Sequence, residues 1–315
     1  MSKHKKQHFV PACYLKAWCD PEAPPMHKPY VWVFDRNGQN VRRKAPENIF
    51  HESDMYTTFG KNGERDLILE QGLSQLEMEF TRIRNSKINY GRDLTPDEHI
   101  LLCAFTAAAQ ARTPANREHQ RKQWERPLRM MERMTEAVAN MTPDTKERFI
   151  ASQPPRSVNS KGSIGYEEVK QMHENPLQTL LYPMIQATTP LLCKLDMAFL
   201  VSNDEIGFIT SDHPCVWFDP DSCRRPPMYR GPALMYETIE ITVPLSPTHC
   251  LLLNRQGMNG YIQVQPNVVH EVNRRTRFEA DEYFVVQRNV KLDHWFDRGR
   301  EPEDSWDRMH TRSGG

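Results

Sequence analysis

The stretch Thr95-Pro96-Asp97-Glu98, continuing as HILLCAFTAAAQA to residue 111, limits this chain more than any other segment. Thr95 as N-cap, Pro96 at the first helical position and Glu98 at the third form a capping box, so a helix starts here. Its body, through Ala111, is apolar nearly all round. A helix without a polar face has no stable place at a surface and must be covered on every side. Its longest apolar run, 100–109, is about half of the roughly 20 residues a membrane span needs. It therefore reads as the centre of a core. Pro114 should end or kink it near Arg112, and 115–140 reads as a second, more polar helix.

The segments before it are of two kinds. Residues 30–43 (YVWVFDRNGQNVRR) read as a hairpin turning at Asn37-Gly38, the pair a type I′ turn prefers because both positions need positive φ. Residues 46–57 read as an ordered loop. From Glu64 to about Ser86, Leu69, Leu73, Leu76, Phe80 and Ile83 recur at spacings of three and four, giving a helix with one apolar stripe, slightly weakened by Gly72.

Residues 142–165 are rich in Pro, Ser and Gly and read as a mobile loop. A helix over about 166–193, broken near Pro183, comes next. Strands then dominate. MAFLVS (197–202) with IGFIT (206–210) predicts one antiparallel hairpin, and 237–245 with 249–255 another. The Pro-, Arg- and Asp-rich 219–236 should be a long surface loop, and a helix near 267–280 and a strand at 283–287 complete the pattern. The expected fold is α+β: an N-terminal hairpin and a central helical layer packed on an antiparallel sheet. Residues 1–290 form one domain on this reading, and 291–315 a charged, disordered tail.

With 41 basic and 41 acidic residues, net charge offers no general argument for nucleic-acid or membrane binding. The basic N-terminus lacks an apolar h-region and is interrupted by Pro11 and Lys16, so it is not a secretory signal. Seven cysteines, an odd number without a C-x-x-C pair, are expected to stay reduced in the cytoplasm rather than form a disulfide framework or zinc ribbon.

Four residues stand out for chemistry. Arg112 lines up at helical spacing with Leu101, Phe105 and Ala108, which puts a guanidinium at the end of an apolar stripe. Buried there, it needs a carboxylate or phosphate partner; the alternatives are a structural Arg–Asp pair or escape to solvent. Glu77 flanks the stripe of the preceding helix, with Glu70 on the same side, as acid–base groups, metal ligands or merely a solvated edge, the last being favoured for Glu70. His8 precedes an apolar segment that must dock. His4 and His8, four apart without a third ligand, are weak evidence for a metal. In GFITSDHPCVWF (207–218), Asp212 and His213 fall just past a strand end, with Ser211 placed to cap the turn. Asp212 serves there as a site residue or closes an Asx turn locked by Pro214.

The segments QHFVPACYLKAW (7–18), VWVFDRNG (31–38), PENIFHESDMYT (46–57), LSQLEMEF (73–80), ARTPANRE (111–118), TSDHPCV (210–216), VPLSPTHCLLL (243–253) and EVNRRT (271–276) occur in this order. Together they resemble the bacterial family named domain of unknown function 4238, over about residues 7–288. The resemblance implies a bacterial or phage cytoplasmic protein and no established activity. It selects His8, Tyr14, Asn48, Tyr56, Glu77, Arg112, Ser211, Asp212 and Asn273. His213 stands where the family more often has Asn.

The functional expectation is a shared polar site with His8, Glu77, Arg112 and Asp212 as catalytic groups and Tyr14, Asn48, Tyr56, Ser211 and Asn273 as binding groups. That mixture suits hydrolysis of a phosphate ester, as in a nuclease or nucleotide hydrolase of the toxin or phage-defence type. Carboxylates and His would hold a divalent metal or activate water, and Arg112 would clamp the phosphate. The alternatives are a module binding a small anionic ligand or nucleic acid, through HKKQH, RRK (42–44) and REHQRKQWER, and a structural interaction scaffold. Membrane attachment is not expected.

Overall fold

The computed structural model describes residues 6–24, 26–60, 62–152 and 164–297. Strand β1 (Lys6–His8) and the short helix α1 (Ala12–Leu15) come first, then β2 (Val31–Asp35), β3 (Arg42–Lys44), β4 (His51–Ser53), β5 (Thr58–Phe59) and β6 (Arg65–Asp66). The helical layer holds α2 (Ile68–Ser86), α3 (Pro96–Ala111), α4 (Pro114–Ala139), α5 (Pro143–Ser152), α6 (Tyr166–Glu174) and α7 (Pro176–Leu192). The last part holds β7 (Asp196–Val201), β8 (Thr210–Ser211), β9 (Val216–Phe218), β10 (Glu240–Ser246), β11 (His249–Asn254), β12 (Gly260–Gln263), α8 (Pro266–Glu279) and β13 (Tyr283–Val286).

The fold is α+β. A five-stranded sheet has the order β12-β7-β11-β10-β9, antiparallel except for the parallel pair β12–β7. A four-stranded antiparallel sheet has the order β3-β2-β13-β8. It joins the N-terminal hairpin to a strand near the end of the described chain. One core cluster runs from Val10 to Val285 and draws on α1, α2, α3 and both sheets.

α3 lies at the centre of the helices and packs against α2, α4 and α7. Its capping box is formed: Thr95 Oγ1 accepts from the Glu98 amide, and the Thr95 amide donates to Glu98 Oε2 at 3.0 Å. Leu102, Cys103 and Ala108 are wholly buried. Phe105 stacks on Phe80 of α2 with ring centroids 3.8 Å apart, which fixes the α2–α3 approach. Tyr14 of α1 closes the aromatic cluster, and its hydroxyl links Thr210 Oγ1 (2.7 Å) and the Pro244 carbonyl (2.6 Å), tying one strand of each sheet to the same ring.

Several elements differ from the expectation. α2 starts at Ile68, not Glu64, because Arg65–Asp66 pairs with Thr58–Phe59 and Asp66 Oδ1 accepts from the Ile68 amide. The β2–β3 turn places positive φ at Gly38 and Asn40, not at Asn37. Asp35 explains this: its carboxylate accepts from the amides of Asn37 and Gln39 and from the Asn40 side chain, which makes a longer Asx-type loop. The stretch expected to be a mobile loop contains α5, with 153–163 outside the described residues. α7 continues through Pro183 and Pro190, and the break falls at Asn175-Pro176 instead. There Pro176 starts α7 without losing a bond, while Leu177, Leu181 and Leu192 hold the helix in the core past its internal prolines. Within the expected tail, Asp293–Phe296 forms a turn that buries Trp295; 298–315, like His4, lie outside the described residues.

The predicted hairpin of 197–202 with 206–210 does not form. β7 lies between β11 and β12, while β8 joins β13 in the other sheet. Gly207 diverts the chain with φ +69°, and Asn273 of α8 holds the diverted segment, accepting from the Ile209 amide at 2.9 Å and donating to the Gly207 carbonyl at 2.8 Å. A Cβ at Gly207 would overlap the Pro247 carbonyl, to which Phe208 also donates. The hairpin 237–245 with 249–255 does form, as β10 and β11. Gly207→Ala is expected to cost about 3 kcal/mol or more, since it adds both a backbone clash and an unfavourable φ, measured by urea unfolding at matched pH.

Candidate functional site

Arg112 occupies the joint between α3 and α4. It caps the first helix with non-helical ψ, and Thr113 caps the second by accepting from the Asn116 amide. Pro114 forces this joint, because an X-Pro step disfavours the α conformation in the preceding residue. The guanidinium is therefore held at the end of a buried helix, and Arg112 is only 1% exposed. Its Nη1 donates to Glu77 Oε1 of α2 at 2.7 Å. Nε and Nη2 are buried without a partner. Unmet bonds on a buried charge cost about 1–3 kcal/mol each or more, so these two donors mark a place where a further acceptor belongs.

β1 brings His8 to the same region. It pairs with His51 of β4, and the rings lie 5.4 Å apart, edge on. Burial, then the neighbouring His51 and the cationic Arg112 and Lys6, lower the His8 pKa, with a bond to the Glu47 backbone opposing them. Nε2 is buried and unpartnered, so the Glu47 backbone acts on the ring through Nδ1. His8 is then a neutral imidazole with a free lone pair on Nε2.

Two further groups share the electrostatics. Tyr56 is buried, and its hydroxyl donates to the His8 carbonyl at 3.2 Å. Burial pushes its pKa far above the ordinary phenol range, so it stays a donor. Glu70, two helical turns before Glu77, is half-buried. Burial first and the Glu77 charge second push its pKa up to about 7, with Arg112 opposing. Glu77 and Arg112 act on both Tyr56 and Glu70, which brings the five groups into one electrostatic cluster. Phe50, just before β4, has φ +55°, a strained conformation for a bulky side chain, and its carbonyl accepts from Phe9. Such strain persists where the surroundings over-determine the backbone, often beside functional groups.

The other sequence candidates lie in different surroundings. Asp212 accepts from the amides of Asp281 (2.8 Å), Glu282 (2.7 Å) and Tyr283 (2.9 Å), so both its oxygens hold the α8–β13 turn. Burial pushes its pKa up to about 6 against the pull of those amides. Ser211 Oγ accepts from the His213 amide and donates to the His213 carbonyl, closing the turn just before Pro214. His213 is half-buried between Asp281, 3.8 Å from Nδ1, and Gln110 of α3, 3.4 Å from Nε2; Asp281 raises its pKa against the effect of burial. Tyr14 and Asn273 make the core and loop bonds that tie the sheets and the Gly207 segment. Asn48 is exposed in a short helical turn, Pro46–Asn48. His8, Tyr56, Glu77 and Arg112 are thus brought together, Asp212, Ser211, Tyr14 and Asn273 make their contacts elsewhere, and Asn48 lies exposed next to Glu47. Glu70, which reads as a solvated edge in sequence, joins the first group. Its signal is the seven-residue spacing from Glu77, two turns along one helix face.

A cleft of about 540 Å³ opens nearby, lined by Cys13, Thr81, Arg84 and Asn85 on one side and Ser246 and Thr248 on the other. Cys13 connects the two regions, its Sγ lying 3.9 Å from the Glu77 carbonyl. Among the described residues, no helix is long and apolar enough to cross a membrane.

The fold and cluster define an α+β protein in which a buried arginine pairs with a half-buried glutamate and has two further donors unpartnered. The chain belongs to the family described as Protein of unknown function (DUF4238), whose model matches residues 6–290. No curated protein and no solved structure matches it.

Asp212→Ala strips three amides of their acceptor and is expected to cost about 2–4 kcal/mol in denaturant unfolding. His213→Asn, which leaves those bonds in place, should cost less than half as much.

Proposed function

We propose that this protein is a hydrolase of phosphate esters, acting on a nucleotide or nucleic acid at the cluster around Arg112. The observation that carries the proposal is the pair of unpartnered, buried Arg112 nitrogens beside an unpartnered His8 Nε2. A phosphoryl group offers the planar pair of oxygens that a guanidinium edge binds best. Glu77 holds the Arg112 fork in orientation from its other side. His8 Nε2 accepts a proton from the attacking water, and Glu70, titrating near neutrality, returns one to the leaving oxygen. Tyr56, donating to the His8 carbonyl, holds β1 in place.

Glu77 Oε1 is taken by Arg112, which leaves Oε2 alone for a divalent metal shared with Glu70, so the arrangement favours the metal-free acid–base route. Seven free cysteines support a reducing, cytoplasmic setting. The same unpartnered donors also support a second reading, a module that binds a small anion without turning it over.

Sulfate, a dianion across the neutral range, tests the anion site common to both readings when titrated calorimetrically. Below about pH 7 Glu70 is neutral and no longer repels the anion, so sulfate binding should tighten as pH falls through that value. Glu70→Gln should flatten this profile. The stability linkage has the same sign: the raised folded pKa makes the Glu70 contribution full below about 4.5 and lost as pH rises through about 7. Glu70→Gln should therefore gain on wild type in unfolding experiments at pH 8 relative to pH 5.

Turnover is assayed on nucleoside triphosphates and on single- and double-stranded nucleic acids, with growth of expressing cells reporting a toxin or phage-defence role. His8→Ala and Arg112→Lys, shown folded by circular dichroism, should lose at least about 100-fold in rate, the size of one acid–base or charge-stabilising group. Sulfate binding without turnover favours the binding module. Wild-type protein that neither binds sulfate nor turns over any substrate rejects both.

A further inference from the structure

The sequence holds no metal motif, yet α3 and α7 bring three metal-ligating side chains to one point. His99 and Cys103 stand four residues apart on one face of α3. Cys193 caps the C-terminus of α7, the helix packed along α3. A ring nitrogen of His99 and the Sγ atoms of Cys103 and Cys193 all lie within 4.8 Å of one another. Cys103 is wholly buried, and Cys193 and His99 are half-buried.

We propose that this cluster is a binding site for a thiophilic divalent cation, zinc, which clamps α3 to the end of α7. Three arguments carry it. The first is the donor set: two cysteines and one histidine are soft, nitrogen–sulfur ligands of the kind zinc takes and calcium or magnesium does not. The second is size. Zinc bonds of about 2.3 Å to sulfur and 2.0–2.1 Å to nitrogen place neighbouring ligand atoms about 3.5–3.8 Å apart in a tetrahedron. Small side-chain rotations close the present spacing to that value. The third is charge. Binding converts two S–H groups to thiolates and releases two protons to solvent, while the imidazole binds neutral. The two new thiolate charges balance the cation, so the complex is neutral and suits a buried place. Among the described residues no fourth His, Cys, Asp or Glu belongs to the cluster, which leaves the fourth position to water.

The site is separate from the Arg112 cluster. Cys103 and Arg112 are nine residues apart, about 14 Å along the helix axis. The zinc site does not rest on the proposed hydrolase, and either can fail alone.

The test uses full-length protein, reduced and stripped with a chelator. Zinc is titrated in competition with a chromophoric chelator, and cobalt(II) serves as the optical probe. The expected result is one equivalent bound, a thiolate-to-cobalt charge-transfer band, and a melting temperature that rises with zinc. Cys193→Ser and His99→Gln, both at half-buried positions, should weaken zinc binding by about 100-fold or more and remove the melting shift. Cys223→Ser, in the surface loop, should bind as wild type does. Circular dichroism of each stripped variant separates lost ligation from lost fold. The proposal is overturned if wild type takes up no stoichiometric zinc, or if folded Cys193→Ser binds as tightly as wild type. A Cys103–Cys193 disulfide found by peptide mapping, in protein that binds no zinc after reduction, would overturn it in favour of a redox pair.

Discussion

From Leu101 to Ala111, α3 has no exposed residue, and the arrangement of the other elements answers that constraint. α2, α4 and α7 cover it as helices, and the aromatic stack of Phe80 on Phe105, closed by Tyr14, connects it to both sheets. Burying a large apolar side chain contributes about 1.5–3 kcal/mol, so covering this helix is one of the larger favourable terms available to the chain. Its capping box fixes where the helix begins, and Pro114 fixes where it stops. The residue at that stop is Arg112.

Arg112 results from this architecture and is also its most costly feature. A charge placed at the end of an apolar helix needs compensation, and Glu77 provides half of it. α2 and α3 are locked together by Phe80 and Phe105, so Glu77 approaches from a fixed direction and engages Nη1 alone, leaving Nε and Nη2 unpartnered in a region where the Arg112 charge also acts on His8. The β1–β4 ribbon and the strained Phe50 beside it set the position of His8. Packing thus produces the chemistry: burial keeps His8 neutral, keeps Tyr56 a donor and moves Glu70 to near neutrality, all through the same loss of solvent. Asp212 shows the opposite use of a buried acid. Its three amide bonds make it the anchor of the α8–β13 turn, and through β13 it supports the sheet that the N-terminal hairpin enters.

Much of this is legible in the amino-acid sequence alone. The α3 cap, the α2 stripe, the β10–β11 hairpin and α8 arise from local periodicity and end signals, which need only neighbouring residues. The failures are those of pairing and context. IGFIT has a strand's composition, but its partner depends on Gly207 and on an Asn273 that is 66 residues away. Pro183 should break a helix in isolation; inside α7 the packing of Leu177, Leu181 and Leu192 outweighs the lost hydrogen bond. Within the site, Glu77 and Arg112 stand out because each interrupts an apolar pattern. Glu70 does not, since an acid on a helix edge has the same spacing whether it is solvated or half-buried.

The sequence by itself determined the class of fold, the central helix with its two ends, the arginine at one of those ends and membership of a family. Those are properties of short stretches, where backbone geometry and hydrophobic period act directly on adjacent residues. Only the tertiary structure decided which acid meets Arg112, that His8 has a free nitrogen, that Asp212 serves a turn, and that His99, Cys103 and Cys193 share one point. These depend on distances between segments remote in the chain and on the exclusion of water from between them, and neither quantity exists until the core has closed.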